Sequence, residues 1–251
     1  MINKIKKNLR VVIIIPARLE SKRLKRKLLR KISGKQMIIR VAETAERLKL
    51  AEVYVATDSS EIFNLCRKHA IKAFMSIEKH KSGTDRIFEA YKGIHKKFDI
   101  IINLQGDLPL FKKKLIENII NLFRDQKVDI GSAVCDLEKK EITDQNIVKA
   151  QVNIIKNEGY AIDFKRKVKS LKNHYHHIGI YAFRSNILKQ IISLEQTKNE
   201  ITRKLEQMRA LDNGYKIKVF KIDYNPPSVD TIDDLMKIRL IFRKNNFKSL
   251  L

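Results

Sequence analysis

The ordered hydrophobic pattern of the chain begins with five consecutive β-branched residues, Val11-Val12-Ile13-Ile14-Ile15. A run with no polar alternation suits a strand covered on both faces, as in a parallel sheet. From Pro16 to Lys35 the pattern turns polar and basic, with Gly34 as a turn signal. Met37, Val41, Thr44, Ala45 and Leu48 then recur at helical spacing and predict a helix over 37–48. A second strand is expected at 53–56, closed by Thr57-Asp58. Asp58 and Ser59 are candidate N-caps for a helix running to about His69. A short strand at 72–75 follows, then a helix from the Ser82-Gly83-Thr84 turn to about Lys97. A strand over 100–104 ends in Gln105-Gly106-Asp107 and precedes a helix at 115–123.

Strand, loop and helix thus alternate through the first part of the chain, which implies parallel strands joined by right-handed crossovers. Ligands of such sheets sit beyond the carboxyl ends of the strands, so the polar residues just after each strand are the ones to examine. The second half is more mixed. Strands are expected at 131–135, 147–155, 159–164, 178–183 and 216–222, and helices at 185–194, 201–213 and 232–243. No linker, repeat or low-complexity tract interrupts the pattern. The economical expectation is one α/β domain over 1–251 with an antiparallel excursion at about 130–185.

Composition changes this picture little. Of the 251 residues 43% are hydrophobic and 32% charged, enough apolar residues for a real core. The net charge of +25 admits a polyanion partner. However, the basic residues are spread along the chain, and abundant Lys, Ile and Asn with scarce Gly and Pro point to compositional bias plus attraction for a phosphate ligand. No RNP, KH, zinc-finger or helix-turn-helix signature accompanies the charge, so no specific nucleic-acid partner is expected. Cys66 and Cys135 are isolated and read as free, buried thiols in a reducing compartment. The N-terminal apolar run stops at Pro16 and Arg18, too short for a signal peptide, and no later segment reaches the length of a membrane span. A cytoplasmic protein with no membrane partner is the expectation.

The candidate chemistry lies at the strand ends. The loop Pro16-Ala17-Arg18-Leu19-Glu20-Ser21-Lys22-Arg23-Leu24-Lys25-Arg26-Lys27 leaves the first strand. It fits a phosphate cradle, because Arg offers paired donors to phosphate oxygens and Lys a mobile charge; it equally fits a solvated basic loop. Asp107, just past a strand, could hold Mg²⁺ against a polyphosphate or cap a turn, and Gly106 would let the backbone approach a ligand. Asp230 is a second carboxylate at a strand end, with helix capping as its other reading; Asp233 and Asp234 fit first-turn partners of the helix dipole. His177, in His174-Tyr175-His176-His177, precedes a strand and either faces a ligand or sits in the core. No nucleophile motif appears.

Taken in order, these segments resemble the 3-deoxy-manno-octulosonate cytidylyltransferases, or CMP-Kdo synthetases. The resemblance runs over nearly the whole chain: Ile14-Ile15-Pro16-Ala17-Arg18 with Ser21, Arg23, Leu24 and Lys27; Ile32-Ser33-Gly34-Lys35; Val55-Ala56-Thr57-Asp58; His80-Lys81-Ser82-Gly83-Thr84-Asp85-Arg86; Asn103-Leu104-Gln105-Gly106-Asp107; Ile178-Gly179-Ile180-Tyr181; Leu205-Glu206-Gln207-Met208-Arg209; and Val229-Asp230-Thr231. It implies a three-layer, Rossmann-like nucleotidyltransferase fold with a mostly parallel central sheet and a small antiparallel excursion. It implies a Mg²⁺-dependent enzyme of lipopolysaccharide biosynthesis that joins CTP and the sugar acid Kdo into CMP-Kdo and pyrophosphate. A related ulosonic acid such as 8-amino-Kdo is the alternative substrate, and a non-enzymatic polyanion binder the alternative class. The residues implied at the nucleotide are Ala17, Arg18, Arg23, Lys27, Ser82, Gly83, Thr84, Arg86 and Gln105. Those implied at the sugar are Gln105, His177, Tyr181, Glu206 and Gln207. Asp107 and Asp230 would hold the metal and, with Lys27, act in catalysis. A homodimer is implied, with its contact in the 130–185 lobe. The chain departs from the family in carrying Lys25-Arg26 where Pro-Gly is usual, Leu108 for an acidic residue, Ser228 for Gly, and a shorter stretch between Lys165-Arg166 and His177.

Overall fold

The computed structural model describes residues 9–21, 23–77, 80 and 82–243. Lys22 of the basic loop, Lys81 of the segment before Ser82, and residues 1–8, which carry part of the N-terminal reading, lie outside them. In chain order the elements are β1 (Val11–Ala17), β2 (Lys31–Ile32), β3 (Lys35–Gln36), α1 (Met37–Arg47), β4 (Glu52–Thr57), α2 (Ser60–Lys68), β5 (Ala73–Met75), α3 (Gly83–Gly93), β6 (Ile100–Asn103) and α4 (Lys113–Leu122). There follow β7 (Ile130–Asp136), β8 (Lys149–Val152), β9 (Glu158–Lys165), β10 (His174–Arg184), α5 (Ser185–Ile192), α6 (Lys198–Arg203), α7 (Gln207–Asp212), β11 (Ile217–Lys221) and α8 (Ile232–Arg243).

β1 is buried along its length and divides two cores. Ile13 and Ile15 pack with apolar side chains of α1, α2, α4 and α8. Val12 and Ile14 point the other way, toward α3, α5 and α7. Alternating side chains of one strand therefore serve opposite faces, which explains why the run has no polar member. The helices expected at 37–48, 60–69, 115–123, 185–194 and 232–243 all form within a few residues of those limits.

The sheet runs β5-β4-β1-β6-β10-β7-β11-β9-β8. β1 pairs parallel with β4 and β6, and β4 with β5. The expected mostly parallel sheet ends there. β10 runs antiparallel to both β6 and β7 in the middle of the sheet, and β8 and β9 pair antiparallel too. β7 and β11 are parallel, β11 meets β9, and the start of β10 meets β8. The pairings β7–β11–β9–β8–β10–β7 close on themselves, so the region is a closed ring of strands rather than a small excursion. Strand-and-helix alternation fails as a guide here because no crossover helix separates β7 to β10.

Other boundaries move for identifiable reasons. The helix expected over 201–213 is two helices, because Lys204 takes a left-handed conformation (φ 53°) that ends α6. The Arg166 guanidinium donates to the carbonyls of Arg203 (3.1 Å) and Lys204 (3.0 Å) and fixes that break. α3 stops at Gly93, before His95 at φ 52°. The strand expected over 147–155 shrinks to β8, and His174 to His177 lie within β10 rather than before it. The Gly34 turn is a two-residue hairpin loop between β2 and β3, with Ser33 at φ 44° and Gly34 at φ 85°. Both central residues have positive φ, the geometry in which Gly is favoured.

Candidate active site

Three connections meet at the carboxyl end of β1. They follow β1, β6 and β11. The first turns through a short 3₁₀ segment, Lys27–Leu29, which presents the Lys27 side chain inward. Lys27 Nζ donates to Asp107 Oδ2 at 2.6 Å and to Asp230 Oδ1 at 3.0 Å. Arg23 Nη2 lies 3.0 Å from the same Asp230 oxygen. One ammonium therefore joins two carboxylates far apart in sequence. Burial by itself would lower the Lys27 pKa, but Asp107 and then Asp230 outweigh it and raise it, so the ammonium stays charged.

The backbone reinforces this arrangement. Val229 N–H donates to the Asp107 carbonyl at 2.9 Å, tying the two acidic loops together. Capping is eliminated as the role of either Asp. The first turn of α8 is held by Thr231 and Asp234: Asp234 N–H donates to Thr231 Oγ1 (3.2 Å), and Asp234 Oδ2 accepts from Thr231 N–H (2.9 Å). This is the reciprocal logic of a capping box. The same Asp234 oxygen takes the Asp230 N–H at 3.1 Å. Lys112 is the N-cap position of α4, so Asp107 caps nothing there. Gly106 lines the same cavity as Lys27 and Asp107, and a Cβ at that position would meet Leu28 and Ile38 side chains at 3.3–3.4 Å, so the missing side chain also lets the Asp107 loop pack against the turn carrying Lys27.

Arg18, Arg23, Lys27, Gln105, Asp107 and Asp230 all line one cavity of about 360 Å³. Ala17 is buried at the end of β1, just before it. Gln105 is held by a hydrogen bond from its Nε2 to Asn103 Oδ1 at 3.3 Å. The donor set suits a hard divalent ion: two carboxylates converge on one point beside an open cavity, and Lys27 supplies the compensating positive charge. Among the described residues no group of three or more metal-ligating side chains gathers anywhere, so any such ion would need oxygens from its substrate as well.

Lys25 and Arg26, the departures that would add cations near a phosphate site, face elsewhere. They line a separate groove with Gln36, Glu61 and Lys68. Arg26 occupies the left-handed region (φ 54°, ψ 40°), and its guanidinium pairs with Glu61 in the first turn of α2. The usual glycine would adopt that conformation without steric cost.

Five further predicted residues, Ser82, Thr84, Tyr181, Glu206 and Gln207, line a second hollow. Ser82 caps α3 by accepting from Asp85 N–H at 3.1 Å, which leaves Gly83 and Thr84 at the helix N-terminus. Thr84 Oγ1 donates to Glu206 Oε2 at 2.6 Å. The Tyr181 hydroxyl is buried with no hydrogen-bond partner, and burial together with the nearby Glu206 charge pushes its pKa well above the usual phenol value. Arg86 is buried; its Nη2 donates to Asp58 Oδ2 at 2.7 Å, and its Nη1 has no partner. Asp58 is therefore the partner of Arg86 rather than the N-cap of α2, which is Ser59.

His177 connects the two hollows. It lines a groove with Gln105, Asp107 and Asp230, while its ring lies 5.2 Å from that of Tyr181. The pairing of β10 with β7 slips between Ile178 and Tyr181, and this bulge lets residues four apart on a strand touch. Burial holds the His177 pKa down to about 3, so the ring is neutral. Ser132 Oγ is 2.7 Å from the Ile180 carbonyl and 3.0 Å from His177 Nε2. The hydroxyl proton goes to the carbonyl, so Nε2 carries the ring proton and Nδ1 is left as an acceptor. Sequence reasoning missed Ser132, and missed Glu89, which accepts from Ile77 N–H (2.9 Å) and contacts His80 Nε2 (2.5 Å) to hold the segment before Ser82.

Residues 12–217 match the family model described as cytidylyltransferase. A 3-deoxy-manno-octulosonate cytidylyltransferase of Paramagnetospirillum magneticum is 36% identical, over 92% of this chain and 97% of its own. That of Rickettsia prowazekii is 37% identical over 96% and 98%. Among solved structures, CMP:2-keto-3-deoxy-manno-octonic acid synthetase complexed with CTP superposes with a TM-score of 0.86 at 33% identity, covering 94% of this chain and 99% of that one. With that agreement in sequence and in fold, the chain belongs to the 3-deoxy-manno-octulosonate cytidylyltransferase family.

Proposed function

We propose that the protein transfers the cytidylyl group of CTP to the anomeric hydroxyl of Kdo, forming CMP-Kdo and releasing pyrophosphate. The observation that carries this reading is the meeting of Asp107 and Asp230 on Lys27, in a cavity that Arg18 and Arg23 also line. The reaction brings an anionic sugar to a polyphosphate and shifts charge onto the leaving pyrophosphate, so its barrier is mainly electrostatic. Arg18, Arg23 and Lys27 would bind and orient the triphosphate. Ser82, Gly83, Thr84 and Arg86 would hold the nucleoside part, and Gln105, His177, Tyr181, Glu206 and Gln207 the sugar acid. His177, neutral and accepting at Nδ1, suits a sugar hydroxyl, and the unpartnered Tyr181 hydroxyl suits an oxygen of the acid. Asp107 and Asp230 would hold Mg²⁺, which when bound neutralises phosphate charge and polarises the reacting phosphoryl group. A homodimer is supported by Tyr160 and Ile162, exposed on the outer side of β9, and by nearby Ile155 on the same hairpin.

Pyrophosphate release, measured across nucleoside triphosphates and sugar acids with and without Mg²⁺, tests the reading. The expected result is release with CTP and Kdo only when the divalent ion is present. Asp107→Ala should lower turnover by several orders of magnitude, a cost of several kcal/mol, with its circular-dichroism spectrum unchanged. Mg²⁺-dependent release at the normal rate by that variant would overturn the assignment.

A further inference from the structure

The net charge of +25 exceeds what a triphosphate site with three or four cations can use. α8 carries an apolar feature that the reaction does not use either. α8 buries Leu235, Ile238 and Phe242 against the core. Its opposite face turns Ile232, Met236 and Leu240 outward, at 53%, 52% and 53% exposure. Spaced by four, the three form one stripe along the helix. Cations flank it. Arg239 Nη1 lies 3.8 Å from the Met236 sulfur, its Nε donates to the Lys31 carbonyl at 3.0 Å, and Lys237 and Arg243 are exposed beside the stripe. Asp233, at the N-terminal end, is the exposed acid on that side.

We propose that this face of α8 docks on the surface of an anionic lipid bilayer, with the apolar stripe entering the headgroup region and the flanking cations meeting lipid phosphates. Three observations favour this occupant. A second copy would bring Lys237, Arg239 and Arg243 of two strongly cationic molecules together, which is repulsive. A folded protein partner needs a contact of about 800 Å² per side, far more than one convex row of three side chains offers, whereas a fluid bilayer accepts a narrow ridge without a matching groove. Nucleic acid would answer the charge but not the stripe, which has no aromatic ring to stack on a base. Each basic residue near an anionic surface adds attraction, so a short stripe suffices when cations surround it. The expectation of no membrane partner rested on the lack of a spanning segment. Among the described residues no helix is long and apolar enough to cross a membrane, and surface docking requires none.

The chain contains no tryptophan, so Leu240→Trp provides a single fluorescent reporter on the stripe. With vesicles of phosphatidylglycerol and phosphatidylethanolamine, its emission should shift to the blue and be quenched by brominated acyl chains; with phosphatidylcholine alone it should not. In sedimentation, Ile232→Ser/Met236→Ser/Leu240→Ser should partition to the anionic vesicles at least tenfold less than the parent chain, while its pyrophosphate-release kinetics stay unchanged. No vesicle binding by the parent chain overturns the proposal, as does equal binding by the triple variant, which would mean charge alone. Emission of the Leu240→Trp variant that is already blue-shifted without vesicles also overturns it, because a second copy, a protein partner or the chain itself would then cover the stripe.

Discussion

His177 shows how much a single side chain can commit the fold to one protonation state. In the unfolded chain its imidazole takes a proton below about pH 6.5, whereas in the native core it does so only near about 3. Between those values the unfolded state binds the extra proton, so acid favours unfolding. Stability should therefore fall as pH drops from 6.5 toward 3, by roughly a few kcal/mol at the acid limit. His177→Gln, which keeps a donor for Ser132, should flatten that slope in urea titrations run at several pH values. A slope identical to that of the parent chain would place the titration elsewhere. Residue identity alone left two readings of His177, core or ligand-facing; the side chain is buried, and it also lines the groove shared with Gln105, Asp107 and Asp230. Asp230 was legible only as a choice between cap and ligand. Its sequence neighbourhood cannot separate them; the structure removes the cap reading, because Asp234 and Thr231 make those bonds. The Asp58–Arg86 pair was not legible, because nothing local links the end of β4 to α3.

Among the elements, the first turn of α8 carries a division of labour. Thr231 and Asp234 close the helix end, and this frees Asp230 for Lys27 and Arg23. Asp234→Ala should cost about 1 kcal/mol of stability, the usual value of a lost cap. It should also slow pyrophosphate release, because the Asp230 N–H loses its acceptor. Asp233→Ala, whose residue makes no such bonds, should do neither, and thermal melts with steady-state rates would distinguish the pair. Equal effects of the two substitutions would remove Asp234 from its place in the site. α1, with its helical spacing, and β1, with its unbroken β-branched run, were readable because local patterning and packing agree there. The split of 201–213 was not, since Lys204 adopts its left-handed turn beneath a guanidinium from β9's far end. The early start of β10 was hidden because a polar His-Tyr-His-His run carries no strand period.

For the molecule as a whole, the α/β class was legible, yet the strand order was not. Pairing of β7 with β11 and of β10 with β8 joins segments that nothing in the intervening sequence marks as neighbours. That ring leaves the outer side of β9 apolar at Tyr160 and Ile162. If a second copy covers it, Ile162→Asp should shift the sedimentation coefficient from dimer to monomer; an unchanged coefficient would exclude that face from the contact.

The hydrogen bond from Val229 to the Asp107 carbonyl has a consequence for the time at which the protein becomes competent. During synthesis the loop after β1 and Asp107 emerge early, but their acidic counterpart arrives only after β11 has been made. A chain that has not yet made the loop after β11 lacks Asp230 and the Val229 tie, so Lys27 then has Asp107 as its one carboxylate partner of the two.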